Sequence, residues 1–179
     1  MKRFVALLRG INVGGKNGLP MKELARLFEA LGCKGVRTYI QSGNVVFEAS
    51  DALARRVPKA IAAAILTEAE LTVPVVTRSA AELEAALRRH PFIGGRRDPA
   101  RVHFAFLADE PSRAQIGALD PKRYPGDELV VRGRDVFLYL PNGVGKSKLT
   151  NAYLDAKLGT VSTLRNLASV RKLVAMCSE

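Results

Sequence analysis

The sequence is poor in the residues that most often build disulfide scaffolds, metal sites and catalytic pairs. Its 179 residues include two cysteines, two histidines and no tryptophan. Cys33 and Cys177 are too few for a disulfide framework, so cytoplasm is the expected compartment. No metal-ligand spacing surrounds His90 or His103, and no serine–histidine–aspartate or cysteine–histidine arrangement can be read. We expect no metal and no cofactor, and the sequence identifies no catalytic residue.

Long apolar runs are missing as well. No run approaches the roughly 18–20 residues of a membrane-spanning helix. Arg9 interrupts the apolar stretch that starts at Phe4, well short of the ~7–15 residues of a signal-peptide core. We therefore expect neither export nor a membrane partner. The composition, 47% hydrophobic and 25% charged, is typical of a globular protein.

Acidic residues are scarce beside basic ones, 17 against 28, and the net charge is +11. The excess is spread evenly, with 14 basic and 8 acidic residues in 1–90 and 14 and 9 in 91–179. Such a charge favours a polyanion as partner. The alternative is an arginine-rich composition without a binding role, because no basic tail or arm stands out.

One stretch, Arg9–Pro20, combines four glycines with two basic residues, Arg9 and Lys16. Dense glycine lets backbone N–H groups turn toward one point, and the positive charge makes an anion the expected ligand. The alternative is a flexible strand-to-helix connection. The spacing also fits a phosphate-binding P-loop, but Asn17 stands where that motif needs serine or threonine. We therefore do not predict a nucleoside triphosphatase.

Apolar periodicity predicts the element order β-α-β-β-α-β twice, which is the ferredoxin-like unit. In residues 1–78 it predicts strands at 3–8, 36–40, 45–48 and 71–77 and helices from Pro20 and from Ser50 or Asp51, with Pro58 kinking the second helix or delaying its start. Residues 79–100 form a linking helix and a linker. Residues 101–179 repeat the order, with a last strand at 160–162 and a terminal helix from Thr163. The predicted fold class is α+β, two ferredoxin-like halves with antiparallel sheets.

In this topology the first and third strands are antiparallel neighbours, so the glycine-rich loop meets the turn before the third strand. A two-residue turn, Ser42-Gly43, would pair Gln41 with Asn44 and Tyr39 with Val46. The predicted binding rim combines both segments: Arg9, Asn12, Gly14, Gly15, Lys16, Asn17, Tyr39, Gln41, Ser42 and Asn44. For the amides of Gln41 and Asn44 the alternative is a purely local role in the turn.

A second basic loop, Gly143–Lys148, is a further candidate anion site. Ser147 would cap the following helix between Lys146 and Lys148, and a helix N-terminus attracts negative charge. The alternative is a capped helix with exposed lysines. We predict Lys16, rather than Lys146, as the main anion contact, because Lys16 has Arg9 and Asn44 near it.

Several motifs together resemble one family, the bacterial domain of unknown function 1697. They are Arg9–Asn17, Pro20-Met21, Thr38–Phe47 and Ser147-Lys148-Leu149. The resemblance implies two ferredoxin-like halves and no assigned activity. A family motif near the C terminus, Thr-Thr-Arg-Asn-Trp, adds Arg165 and Asn166 to the candidate ligand-binding residues. Leu167 replaces its tryptophan, so any stacking contact of that ring is missing here.

Three functions fit these observations. The first is binding of a phosphate-bearing partner, a nucleotide or a nucleic acid, at a glycine-rich basic loop. RNA-recognition domains share the element order, but their strands expose stacking aromatics, and this chain offers few. The second is an enzyme on a small anionic substrate, with Lys16 or Arg9 stabilising charge. The third is a protein-interaction module whose glycine loop only shapes the fold.

Overall fold

The computed structural model describes the backbone of residues 1–179 and every side chain except that of Pro121. The first seven elements are β1 (Lys2–Leu8), α1 (Met21–Ala30), β2 (Lys34–Tyr39), β3 (Asn44–Ala49), α2 (Asp51–Ala69), β4 (Val75–Ser79) and α3 (Ala80–Arg89). The next seven are β5 (Val102–Leu107), α4 (Arg113–Gly117), β6 (Glu128–Arg132), β7 (Asp135–Tyr139), α5 (Asn151–Leu158), β8 (Ser162–Asn166) and α6 (Leu167–Ser178).

Two four-stranded sheets have equivalent strand orders. The first is β2-β3-β1-β4 and the second β6-β7-β5-β8. Every neighbouring pair is antiparallel. Each sheet is therefore built from one β-α-β-β-α-β run followed by a helix. This confirms the predicted α+β fold of two such halves.

The chain groups into two compact units, Met1–Ala85 with Lys172–Glu179, and Ala86–Arg171. The boundaries expected from the sequence, at 78 and 101, stay a prediction. The segment expected as a linker, 90–101, groups with the second unit, and His90 and Phe92 are buried there. Apolar side chains, rather than the proline and glycine content, decide its place in the fold.

Strand alternation determines the core of the first unit. One face of the sheet packs against α1 and α2, and its side chains are Phe4, Ala6, Leu8, Val45 and Phe47. Ser50 caps α2 by accepting a hydrogen bond from the Leu53 N–H at 3.2 Å. Pro58 lies inside α2, so this helix runs on from Asp51 past the proline.

The end of α6 lies over the opposite face of the first sheet. Arg3 on β1 donates to the Cys177 carbonyl at 2.7 Å. Arg37 on β2 pairs with the Glu179 carboxylate at 2.5 Å and donates to the Met176 carbonyl. These contacts explain why Lys172–Glu179 group with the first unit.

The register of the β2–β3 hairpin differs from the prediction. Tyr39 pairs with Asn44 and Thr38 with Val45, so the connection has four residues instead of two. Ile40 takes a positive φ of 48°, an unusual conformation for a β-branched residue. The shift is two residues, an even number, so Val45 and Phe47 face the helices in either register. Gln41 lies in the connection and does not pair with Asn44.

The C-terminal elements also differ from the prediction. β8 covers Ser162–Asn166, and the terminal helix begins at Leu167 instead of Thr163. Pairing with β5, for example Ala105 with Leu164, extends the strand. The strand has little hydrophobic alternation of its own, so sheet pairing overrides the local pattern.

A buried histidine organises the start of the second unit. The His90 ring packs against the rings of Phe92, Phe104 and Phe137, with ring centroids 4.5–5.7 Å apart. Its Nδ1 accepts from the Phe92 N–H at 3.2 Å, so Nε2 is the donor to the His103 carbonyl at 2.9 Å. Burial lowers the pKa of His90 below its ordinary value. The neutral ring is the native form.

We expect His90 to make the protein less stable in mild acid. The unfolded chain binds the proton more readily, so stability is lost as pH falls below about 6.5, the unfolded value, and through the lower folded pKa. His90→Gln replaces the imidazole N–H donor with an amide N–H donor and removes the titratable ring. Melting temperature between pH 8 and 5 should fall less steeply in this variant. An unchanged slope would contradict this role of His90.

Candidate anion-binding site

Two asparagines fix the glycine-rich loop. The Asn12 amide donates to the carbonyls of Leu19 and Gln41, both at 2.9 Å, and its oxygen accepts from the Leu19 N–H at 2.8 Å. Asn17 donates to the Gly10 carbonyl at 2.9 Å. Both asparagines have φ above +50°, a conformation that asparagine tolerates well. Their side chains build the loop.

The loop is a small hairpin, with Gly14 and Gly15 at its tip. The Lys16 N–H donates to the Val13 carbonyl at 3.0 Å, and the Asn12 N–H to the Asn17 carbonyl at 3.0 Å. These N–H groups are used inside the loop. In a P-loop, by contrast, the N–H groups cradle phosphate. The hairpin geometry therefore supports the exclusion of a P-loop.

The loop meets the β2–β3 connection, as the topology predicts. The Leu8 N–H donates to the Gly43 carbonyl at 2.8 Å. A Cβ on Gly43 would lie 2.6 Å from the Leu8 Cβ and 2.8 Å from the Ile11 Cδ1. With its φ of +80°, this position requires glycine. The structure therefore brings together the two segments of the predicted rim, the glycine-rich loop and the β2–β3 connection.

Several rim side chains are already engaged in the turn. Asn44 is fully buried and donates to the Tyr39 carbonyl and the Ser42 hydroxyl, both at 3.0 Å. Tyr39 and Ser42 are half-buried, and Gln41 is exposed. The hydrogen bonds of Asn44 match its local, turn-forming alternative. Arg9 is half-buried and Lys16 is exposed.

The second basic loop is held by a serine that bonds across the unit. The Ser147 hydroxyl donates to the Asp127 carboxylate at 2.7 Å and accepts from the Leu149 N–H at 3.0 Å. The cap of α5 is Thr150, which accepts from the Tyr153 N–H at 3.2 Å. The expectation that Ser147 caps the helix is therefore wrong, because the helix begins later.

A cleft of about 570 Å³ opens beside this loop. The polar groups of its lining come from Arg123, Tyr124, Asp127, Asn142, Lys146 and Lys148. Three cations and one carboxylate thus line the same cleft. Arg123 was not among the predicted site residues, because it belongs to a short 3₁₀ turn without a motif. The basic pair 122–123 before a Tyr-Pro-Gly turn was the available signal.

The lysines of both loops are available for a ligand. Lys16, Lys146 and Lys148 are exposed. Within the part of the chain that the structure describes, their ammonium groups have no ion-pair or hydrogen-bond partner. The Arg123 guanidinium lies over the Tyr153 ring, 4.8 Å from its centroid. It is held in place by a cation–π contact and remains exposed.

Arg165 and Asn166 occupy structural positions. Arg165 is 8% exposed and donates to the Leu164 carbonyl at 2.7 Å and the Thr163 hydroxyl at 3.1 Å. Burial lowers the pKa of Arg165 to about 10, so it keeps its charge near neutral pH. Asn166 accepts from the Ser169 N–H at 2.8 Å, in the first turn of α6.

Comparison with known proteins places this chain in a family. A family model described as "Protein of unknown function (DUF1697)" matches residues 1–137. The chain belongs to the DUF1697 family. The matched segment of this DUF1697 protein contains the glycine-rich loop and Arg123, and it ends before Lys146. No curated protein matches the sequence.

A solved structure extends the comparison to the whole chain. It is a conserved bacterial protein from Streptococcus pneumoniae, 25% identical, with a TM-score of 0.76. The match covers 100% of this chain and 99% of that one. None of the described helices is long and apolar enough to cross a membrane. The described His, Cys, Asp and Glu side chains form no group of three that could hold a metal ion.

We expect Asn12→Gly to destabilise the protein, because it removes three side-chain hydrogen bonds while suiting the positive φ. The loss should be about 1–3 kcal/mol, which lowers the melting temperature by several degrees. Asn12→Ala should cost more, since alanine is strained at this φ. Lys16→Ala is the control and should leave the melting temperature unchanged. Equal stability of Asn12→Gly and wild type would show that the loop does not depend on this amide.

Proposed function

We propose that this DUF1697 protein binds a phosphate-bearing ligand in the cleft beside the Gly143–Lys148 loop. The observation that carries the proposal is the convergence of Arg123, Lys146 and Lys148 on one concavity. The three cations come from two separate segments of the chain. Only the folding of the second unit brings them together.

The chemistry of these cations suits phosphate. The fork of an arginine bonds two phosphate oxygens at once, and lysine adds a compact point charge. The single carboxylate of the lining, Asp127, already accepts from Ser147. With three cations and one carboxylate, the lining of the cleft remains net positive. A cleft of about 570 Å³ also lies within the usual size of small-molecule sites.

The glycine-rich loop at Lys16 is the second candidate for the phosphate contact. Its support is the exposed, unpaired ammonium of Lys16 with Arg9 close along the chain. The hairpin uses its own N–H groups internally, whereas Lys146 borders a concavity. We therefore favour Lys146, in place of Lys16, as the main contact.

The two loops can be separated by matched lysine variants. We expect Lys146→Ala to weaken binding of pyrophosphate and adenosine monophosphate about 10–100-fold, the size of a charge-assisted hydrogen bond of about 1.5–3 kcal/mol. Lys16→Ala should change it little. Lys59→Ala, an exposed helix lysine of the first unit, controls for net charge. Isothermal titration calorimetry measures the affinities.

The outcomes are distinct. A large effect of Lys16→Ala with a silent Lys146→Ala would move the site to the first unit. If none of the three variants differs from wild type, or if the wild type binds neither ligand, the proposal fails. Binding should also stabilise the fold, by about 2.7 kcal/mol at a hundred times the Kd.

A further inference from the structure

We infer that the ligand is a phosphodiester chain, a short single-stranded oligonucleotide, that occupies two clefts of the second unit at once. The inference rests on the proposed function and deepens it. The second cleft measures about 430 Å³ and is lined in part by Asp120, Arg123, Ala152, Tyr153, Ala156 and Lys157. Arg123 lines both clefts, so they adjoin at its side chain.

Charge favours a chain with several phosphates. The two clefts together expose Arg123, Lys146, Lys148 and Lys157 against the carboxylates of Asp120 and Asp127. Both carboxylates have protein donors. Asp127 accepts from the Ser147 hydroxyl, and Asp120 accepts from the Lys122 N–H at 3.0 Å. One small phosphate would bind in one of the two clefts only. In the first cleft it would leave Lys157 without a partner.

On the α5 side, the lining of the second cleft includes short side chains. Ala152 and Ala156 are exposed and lie one helical turn apart. Lys157 stands beside them in the last turn of the helix. A backbone can lie along such a surface and meet a cation at each end, with Arg123 between the two clefts.

The same lining indicates recognition of the backbone rather than of base sequence. Tyr124 and Tyr153 are 8% and 7% exposed, and the Tyr153 ring lies beneath Arg123. Neither ring offers an open face for stacking, which sequence-tolerant single-strand binders commonly use. Phosphate contacts give affinity and position without sequence information. The binding should therefore be strongly dependent on salt.

Fluorescence anisotropy with labelled 12-nucleotide oligothymidylate tests this. Lys157→Ala should weaken binding roughly tenfold and reduce the slope of log K against log salt by about 1. The same variant should bind adenosine monophosphate like the wild type. Lys146→Ala should weaken the binding of both ligands, and Lys59→Ala is the charge-matched control. Equal melting temperatures confirm that the variants are folded.

Two results would overturn the inference in different ways. In the first result, Lys157→Ala has the same oligonucleotide affinity as Lys59→Ala, while Lys146→Ala lowers the affinity for both ligands. The ligand then occupies the first cleft alone, and the proposed function stands. In the second result, Lys146→Ala also has the same affinity as Lys59→Ala for both ligands. The proposed function then fails, together with the inference of a ligand that occupies both clefts. A preference for adenosine monophosphate over the oligonucleotide would likewise contradict a phosphodiester ligand.

Discussion

One hydrogen bond, from the Ser147 hydroxyl to the Asp127 carboxylate at 2.7 Å, shapes the basic cleft. It ties the connection after β7 to the segment before β6. Because Ser147 lies between Lys146 and Lys148, this bond anchors the backbone that carries both lysines, which line the cleft together with Arg123. It also gives the Asp127 carboxylate an uncharged hydrogen-bond donor. The proposed function depends on this contact.

The two glycine–lysine turns show that similar composition can produce different sites. Each turn ends at a lysine whose N–H donates to a carbonyl three residues earlier, Val13 at 3.0 Å and Gly143 at 3.2 Å. The first is closed by Asn12 and Asn17 into an exposed hairpin. The second borders a concavity because a distant segment, 123–127, packs beside it. Concavity, more than glycine content, distinguishes the candidates.

The fold was predictable because its signals are local. The apolar runs of β1 and β3 and the helical spacing of α1 mark these elements from neighbouring residues alone. The hairpin register was not predictable, since it depends on Ile40 adopting a positive φ, which its residue type disfavours. The bounds of the strand at Ser162–Asn166 were not predictable for a related reason, because pairing with β5 defines this strand. No motif marks Arg123, because only tertiary packing brings it into the lining of the cleft.

Amide chemical shifts of the labelled protein, followed during titration with pyrophosphate, show where phosphate binds. We expect the largest changes at residues 123–127 and 142–148, with little change at 9–18 and 40–43. Changes confined to the glycine-rich hairpin and its neighbouring turn would contradict it and place the anion at the first unit. No saturable change anywhere would contradict phosphate binding altogether.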